Sequence, residues 1–432
     1  MRPRLPKFDI PPPRRRPGKE ELNTEEVAPF KFLVPPVDQT IRTFYPRRCK
    51  RKRVTSDIES LPDELLFEVL VRIPGQDIYE ARLVCRKWYH IIHTHNFMSA
   101  YLHHSPYGLL FKSKCSESLL VLPQRGRGGR IGIEMTQLRY KRRCLVFSSC
   151  NGLWLEKNLQ SENDLYVTNP TTGQNFLLPP CVIHVADANH AMAYTPASME
   201  YKVVIFCPPN KTFRPVCHIL TAGVDKTWRD VDLGPISSEE ASRSFRNPPL
   251  VTEGFVHWKH PRTHHLLTLN VETETITETP APFPQLQDFP VHASRTDIYL
   301  STGKYLSLLR PYGECSWQVW EMSRPETGEW KKKAHFSLEG NEERFKQLGF
   351  APKEFLFPQG WVKYPELLAM RTSSKMTALL LYNLVTQEIN EIGLPSYYFQ
   401  YNFVVYKSSL EWLDAVKPPL PPSSPLPSST GI

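Results

Sequence analysis

The hydrophobic positions of the chain follow a helical period in one short region near the N-terminal third. Pro62, Asp63 and Glu64 favour a helix start, and Pro74-Gly75 ends that helix. Between them the apolar residues recur with a period of 3.6, as a stripe made of Leu65, Leu66, Val69, Leu70 and Ile73. A second helix is predicted to follow, with one face made of Ala81, Val84, Cys85 and Trp88. We therefore predict a small helical unit over residues 56–105.

Beyond Tyr107 the pattern changes to short runs in which apolar and polar residues alternate. Examples are GLLFKS, GLWLE, YKVVIF, LLTLNV and TALLLYNL. Alternation over so few residues is typical of half-buried antiparallel strands. The pattern predicts an all-β domain over residues 106–414.

Two sequence markers repeat along this β region. A turn with small polar residues joins two strands at 168–173, 222–228, 269–274, 322–328 and 382–387, with a weaker copy between 111 and 123. The turns are spaced by about 45–60 residues, close to known propeller repeats. The second marker is a glycine that begins an apolar strand, at Gly152, Gly254, Gly303 and Gly360. Together they predict a β-propeller of about six blades; a pair of β-sandwiches is the alternative.

Both ends of the chain are predicted to be disordered. Residues 1–55 are rich in Pro and Arg, and residues 415–432 are rich in Pro and Ser. Residues 1–53 hold 15 Lys/Arg and 6 Asp/Glu, so they account for the whole net charge of +9. Because the body is neutral, we do not expect it to bind nucleic acid directly.

One dense cationic cluster stands out in the N-terminal arm. It predicts a nuclear-import signal or an anion-binding patch, while a solvated charge run that keeps the tail soluble is the alternative. Its charged residues are Arg47, Arg48, Lys50, Arg51, Lys52 and Arg53.

The helical unit has apolar residues on more than one face. A unit of about 45 residues without a disulfide or a metal rarely forms a stable hydrophobic core of its own. The excess apolar surface therefore indicates either a partner-binding surface or packing on the following domain, and the pattern alone leaves both open.

The same residues resemble an F-box. Leu61-Pro62-Asp63-Glu64-Leu65-Leu66 opens the motif, Arg72-Ile73-Pro74 ends its first helix, and Val84-Cys85-Arg86-Lys87-Trp88 matches its second. Ile73 and Val69 replace the more usual Leu and Ile, which are similar in volume. F-boxes dock on the Skp1 subunit of SCF ubiquitin ligases. The resemblance implies a Skp1-facing surface made of Leu61, Pro62, Leu66, Leu70, Ile73, Val84, Cys85 and Trp88.

The β region resembles the F-box-associated and kelch-type domains of plant F-box proteins. The resemblance is carried by residues 166–173, 178–180, 193–196, 201–204 and 320–322. In that family these motifs maintain the scaffold, and the recruited substrate differs between members. The expected fold class is therefore α+β multidomain, with a small helical F-box followed by an all-β propeller.

No motif for catalysis, cofactor binding or metal binding is apparent. The chain has no GxSxG, HExxH or Gly-rich phosphate loop, and its nine cysteines form no CxxC pair. Reduced thiols in an intracellular protein are expected, since no secretory signal is seen at the N-terminus. No apolar run is long enough to span a bilayer. We predict no cofactor, no metal site and no membrane association.

The sequence is thus interpreted as a non-catalytic substrate receptor of an SCF ubiquitin ligase. A Skp1-type adaptor, and through it a cullin, is the expected partner, together with an unidentified target protein. Residence in the nucleus, the cytoplasm or both is expected. Two alternatives remain open: an F-box protein outside the ligase that acts as a nuclear transcriptional cofactor, and a propeller enzyme.

Overall fold

The fold comes from a computed structural model of the 432-residue chain. The structure describes residues 61–411, except for gaps at 113–117, 126–130, 141, 160, 162–163, 182–187, 208–214, 235, 237, 261–264, 283–296, 314, 350–355, 373–377 and 394–402. The predicted tails, residues 1–55 and 415–432, and the cationic cluster of residues 47–53 lie outside the described residues.

Four short helices form the helical unit. They are α1 (Asp63–Leu70), α2 (Gly75–Ala81), α3 (Arg86–Ile92) and α4 (His95–His104). Asp63 and Glu64 stand in the first turn of α1, where carboxylates favour the positive end of the helix dipole. Thr94 caps α4 because its hydroxyl accepts a 3.2 Å hydrogen bond from the Phe97 backbone N–H. Local sequence signals therefore account for where α1 and α4 begin.

The predicted single second helix is wrong: the chain breaks it into separate helices. After Ala81 the backbone turns, and the Val84 N–H donates to the Ala81 carbonyl at 3.1 Å. Cys85 is fully extended, with φ −157° and ψ 168°, before α3 begins. Ala81, Val84, Cys85 and Trp88 consequently do not lie on one helical face.

Six four-stranded antiparallel sheets follow, as a six-bladed propeller. Blade 1 contains β1 (Tyr107–Lys112), β2 (Ser118–Arg125), β3 (Ile131–Gln137) and, from far along the chain, β24 (Phe403–Lys407). Blade 2 contains β4 (Cys144–Cys150), β5 (Leu153–Asn158), β6 (Leu165–Asn169) and β7 (Gln174–Leu177). Blade 3 contains β8 (Asn189–Thr195), β9 (Glu200–Cys207), β10 (Val216–Thr221) and β11 (Arg229–Asp230).

The remaining three blades have the same order. Blade 4 contains β12 (Leu250–Thr252), β13 (Phe255–Lys259), β14 (His265–Asn270) and β15 (Thr275–Pro280). Blade 5 contains β16 (Ile298–Ser301), β17 (Leu306–Pro311), β18 (Ser316–Arg324) and β19 (Glu329–Ser337). Blade 6 contains β20 (Leu356–Lys363), β21 (Leu367–Thr372), β22 (Ala378–Asn383) and β23 (Ile389–Gly393). Two short helices lie in the connections between consecutive blades: α5 (Ser238–Ser244) connects blades 3 and 4, and α6 (Glu342–Gln347) connects blades 5 and 6.

The predicted fold class, a helical F-box-like region followed by a six-bladed propeller, is confirmed, and the pair of sandwiches is excluded. The innermost strand of each blade is the first in chain order in blades 2 to 6 and β24 in blade 1. Each innermost strand contacts its counterpart in the next blade; these strands are β4, β8, β12, β16, β20 and β24. The ring closes because β24 pairs with β1, with Leu109 opposite Val405 and Phe111 opposite Phe403.

The repeated turn has the same function in three blades. Asn169, Asn270 and Asn383 each end the third strand and accept hydrogen bonds from the backbone N–H groups two and three residues ahead, at 2.9–3.3 Å. The residue four positions ahead has positive φ in each case: 75° at Gly173, 57° at Glu274 and 60° at Gln387.

Two of the predicted markers fall elsewhere. The weak turn copy between residues 111 and 123 joins β1 to β2, which are the second and third strands of blade 1. Gly152, Gly254 and Gly303 do precede second strands, but Gly360 lies inside the inner strand β20. Neither error changes the blade count, since the other five turns occur once in each of blades 2 to 6, and β24 with β1, β2 and β3 forms the sixth sheet.

Large aromatic residues fill the spaces between blades. Trp154, Trp258 and Trp361 are almost completely buried. The Trp258 ring centroid lies 3.9 Å from that of Phe206 in the preceding blade. The Trp361 Nε1–H donates to Ser307 Oγ at 2.7 Å, also across a blade boundary. The tryptophans therefore hold blades together, as expected for the strand-like runs that contain them.

A buried histidine makes the propeller sensitive to acid. His257 Nε2 and Nδ1 each lie 3.0 Å from a hydroxyl, on Thr252 and Thr268 respectively. Burial lowers the pKa of His257 to about 3. An unfolded histidine titrates near 6.5, so below that pH the unfolded chain binds a proton that the folded chain does not. The contribution of neutral His257 to the free energy of unfolding is therefore fully present above about pH 6.5, and it is lost as the pH falls towards 3.

We expect His257→Asn to flatten the acid dependence of stability. Wild-type protein should lose up to about 1.4 kcal/mol per pH unit through this one group between its unfolded and folded pKa values. The measurement is urea unfolding at several pH values between about 7 and 5. The exposed His104 provides the control, since His104→Asn should keep the wild-type slope. Equal slopes for wild type and His257→Asn would contradict the assignment.

A second prediction concerns ring closure by β24. A chain ending at residue 402 should fail to fold, because it loses the inner strand of blade 1 together with the buried Tyr406 and Leu410. Those two side chains alone represent about 5–10 kcal/mol, comparable to the total stability of a domain. A chain ending at Glu411 should keep a cooperative thermal transition by circular dichroism. Cooperative melting of the 402-residue chain would show that β24 is dispensable.

Candidate functional site

The helical unit has an interior of its own. Its buried residues come from all four helices and the turn after α1, and include Leu66, Leu70, Val71, Ile78, Ala81, Ile92, Phe97 and Tyr101. The ring of Phe67 meets that of Phe97 edge-on at 5.1 Å. One residue from the far end of the chain, Leu410, completes the cluster.

Four large apolar side chains remain on the surface of this unit. Leu65 and Val69 are each 54% exposed, and Leu83 and Val84 are 74% and 64% exposed. Leu65 and Val69 are four residues apart and therefore share one face of α1. Leu83 and Val84 lie on the turn between α2 and α3. We call these four residues the exposed apolar face.

A lysine brings the two parts of this face near one another. The Lys87 ammonium donates to the Leu61 carbonyl at 2.6 Å and lies 2.8 Å from an Asp63 carboxylate oxygen. Lys87 stands at the start of α3, directly after the turn with Leu83 and Val84. The turn is thus held beside the start of α1, which carries Leu65.

The eight sequence-predicted contact residues do not all reach the surface. Pro62 and Val84 are exposed, whereas Leu61, Ile73, Cys85 and Trp88 are half-buried. Leu66 and Leu70 are completely buried inside the helical unit, so in this conformation neither can present its side chain to a partner. Successive helical residues point about 100° apart, and the stripe of α1 therefore divides into an inner pair and an outer pair. Leu65, Val69 and Leu83, which are not among the eight, are exposed.

The helical unit is fixed to the propeller. Both belong to one compact unit that begins at Leu61. Gly75 packs so closely on the segment after β24 that an added Cβ would lie 2.9 Å from the Ser408 Cβ. The Gln76 amide donates to the Gln137 carbonyl at 3.1 Å, and Arg139 pairs with Glu80.

The segment after β24 is held in turn by blade 2. The Asn169 side-chain amide donates to the carbonyls of Ser409 and Glu411, at 3.2 and 2.8 Å. This is the same Asn169 whose carbonyl oxygen organises the turn between β6 and β7. The residues that complete the helical interior are therefore positioned by the propeller.

The propeller encloses a central cavity of about 380 Å³. Residues from the inner strands of all six blades line it, among them Phe147, Tyr194, Leu250, Ser301, Gln359 and Phe403. This volume falls within the usual range for small-molecule sites. Its charged lining residues are Arg371, Lys407 and Glu253.

The described part of the chain holds neither a cluster of metal-ligating side chains nor a helix that could span a membrane. Within this part of the chain, no three His, Cys, Asp or Glu side chains are grouped so that they could hold a metal ion. None of the helices described is long and apolar enough to cross a bilayer. The predicted import residues, Arg47, Arg48, Lys50, Arg51, Lys52 and Arg53, cannot be placed because they lie outside the described part.

Comparison with protein families agrees with this architecture. The family described as F-box associated beta propeller domain matches residues 109–404. The family described as F-box-like matches residues 58–100. The two matches cover the propeller and the helical unit respectively.

Curated relatives come from Arabidopsis thaliana. F-box protein At5g49610 is 22% identical over 290 residues, 64% of this chain and 79% of that protein. Putative F-box protein At1g46984 is 25% identical over 202 residues, 43% of this chain and 53% of that protein. F-box protein At3g07870 is 26% identical over 173 residues, 36% of this chain and 41% of that protein. The last two alignments thus span only about half the length of the relatives.

The propeller match covers more than half of the chain, and an F-box-like helical unit precedes it. The protein therefore belongs to the F-box proteins that carry an F-box associated β-propeller domain.

Proposed function

We propose that this protein is a substrate-receptor subunit of an SCF ubiquitin ligase. The helical unit docks on a Skp1-type adaptor, which connects it to a cullin, and the propeller holds a target protein. The receptor makes and breaks no bonds itself. It raises the local concentration of the target near the ubiquitin-conjugating enzyme.

The exposed apolar face is the observation that supports adaptor docking most directly. The interior of the helical unit is already complete, since its inner residues are buried and Leu410 fills the remaining space. Leu65, Val69, Leu83 and Val84 are therefore not needed for folding of this chain, yet they are more than half exposed. Apolar side chains concentrated in this way on a small unit are typical of a protein–protein interface.

The fixed attachment of the helical unit supports the receptor role. A target held on the propeller keeps a defined position relative to the adaptor only if the connection between them is rigid. Gly75 against Ser408, and Leu410 inside the helical interior, supply such a connection. A target held in one orientation then has a higher effective concentration at the ubiquitin-conjugating enzyme.

We expect the paired change Leu83→Asp and Val84→Asp to abolish adaptor binding without unfolding the protein. Both residues are exposed, so the thermal transition should not change. Loss of two buried apolar contacts at an interface should weaken binding at least about a hundredfold, because hot-spot residues contribute 2 kcal/mol or more each. Affinity for a purified Skp1-type adaptor is measured by calorimetry.

The matched control is the pair Val224→Asp and Val385→Asp. These propeller valines are 64% and 72% exposed, so the control adds the same charge to equally exposed sites. It should bind the adaptor as the wild type does. Wild-type affinity in the Leu83/Val84 variant would refute the docking surface. Adaptor binding without cullin co-purification would instead favour an F-box protein that works outside the ligase.

The basic arm is proposed to direct nuclear import. Residues 47–53 contain six Lys or Arg and no acidic residue. We expect a fluorescent fusion of the full chain to enter the nucleus, and a variant with all six changed to Gln to remain in the cytoplasm. A matched variant with six arm residues changed outside this cluster, Arg2, Arg4, Lys7, Arg14, Arg15 and Arg16, should enter as before. Unchanged nuclear fluorescence after the 47–53 change would assign the cluster to solubility.

A further inference from the structure

Part of the cavity lining lies towards the starts of two inner strands, β12 and β24. Phe403 is the first residue of β24, and Pro248, Pro249 and Leu250 lead into β12. In the strand register, Arg371 of β21 lies opposite Phe357, the second residue of β20, so Arg371 lies at the same end. The Gln359 side chain follows two residues after Phe357 and also lines the cavity. This end of the cavity therefore combines apolar residues with one guanidinium and one amide.

Arg371 carries an unused hydrogen-bond donor. Its Nη2 is buried and has no hydrogen-bond partner among the residues that the structure describes. A guanidinium can donate five hydrogen bonds and cannot lose its proton in a protein. A buried charged donor without an acceptor is strongly unfavourable, so an acceptor supplied by a ligand would stabilise the site.

The charge of the lining favours an anion. Arg371 and Lys407 are the two cationic lining residues, and Glu253 is the single carboxylate. Glu253 lies on the exposed turn after β12, at the opposite end of the inner strands from Arg371. Lys407 lies at that far end too, 4.7 Å from the Tyr107 ring centroid. At its own end of the cavity, Arg371 therefore has no competing carboxylate among the lining residues.

Two hydroxyls of the lining are already used by the scaffold. Ser148 Oγ accepts a hydrogen bond from the Met192 backbone N–H at 3.2 Å. Ser301 Oγ donates to the Val251 carbonyl and accepts from the Gly303 N–H at 3.0 Å. Both hydroxyls therefore link neighbouring inner strands or turns, whereas the Arg371 Nη2 has no such bond among the described residues.

We propose that the propeller cavity binds a small organic anion. A carboxylate or phosphate monoester group would accept hydrogen bonds from the Arg371 guanidinium, which suits the planar, bidentate geometry of such oxyanions. An apolar body would pack against Phe403, Phe147 and Leu300. The cavity of about 380 Å³ equals the volume of roughly a dozen liquid water molecules, so the ligand is a single small molecule and not a folded partner. This site is independent of the adaptor-docking surface.

The test compares anionic and neutral probes of the same shape on the purified full-length chain. Phenylacetate and phenyl phosphate supply the two kinds of anion, and phenylacetamide supplies a neutral analogue of the first. Calorimetric titration measures each affinity. We expect at least one anion to bind about tenfold or more tightly than phenylacetamide, equal to 1.4 kcal/mol. The preferred anion then identifies which chemistry the site takes.

Arg371→Gln should remove the preference for the anion, and Arg371→Lys should retain part of it. The control is Lys331→Gln, which removes a cation from the 62% exposed side chain of Lys331 on an outer strand and should change nothing. If Arg371→Gln fails to fold, Pro248→Trp serves instead, because Pro248 is an exposed residue of the cavity lining and a larger ring there should weaken binding of the anion.

Three results would overturn the proposal. One is equal affinity of wild type for the anions and the neutral amide, or no saturable binding of either anion. Another is an anion preference that survives in folded Arg371→Gln. The last is unchanged anion affinity in Pro248→Trp, which would place the bound probe outside the cavity.

Discussion

The closing of the ring by residues 403–411 is the constraint on which the rest of the structure depends. β24 supplies the inner strand of blade 1, a position that β1, β2 and β3 cannot fill. The residues directly after it receive two hydrogen bonds from Asn169 of blade 2. Leu410 then enters the interior of the helical unit. One segment from the end of the fold thus joins the first blade, the second blade and the helices.

This arrangement separates the work of folding from the work of binding. Leu66 and Leu70 on α1 are buried in the interior of the helical unit, so Leu65 and Val69 remain available to a partner. The propeller makes a similar division, since Ser148 and Ser301 brace inner strands while Arg371 Nη2 remains unbonded. In both regions the candidate binding groups are those that the fold does not use.

Residue patterns accounted well for features with a local cause. Asn169, Asn270 and Asn383 bond to their own following backbone, which is why their repeat could be counted as blades before any coordinates. The break at Cys85 was not predicted, because the apolar residues on both sides of it continue a helical spacing. Gly360 was misplaced for a related reason: its bare Cα faces Leu109 of the neighbouring blade, a long-range contact.

The sequence by itself determined the order of the domains, the number of blades and the F-box motif, since each depends on residue spacing of a few to some fifty positions. Tertiary structure decided which side chain of each apolar pair faces inwards, because burial depends on what the other helices and Leu410 occupy. It alone decided that β24 would complete blade 1 and that Arg371 would face an enclosed cavity. These features join residues hundreds of positions apart, or depend on the space left between blades. A periodicity of a few to some fifty residues therefore cannot predict them.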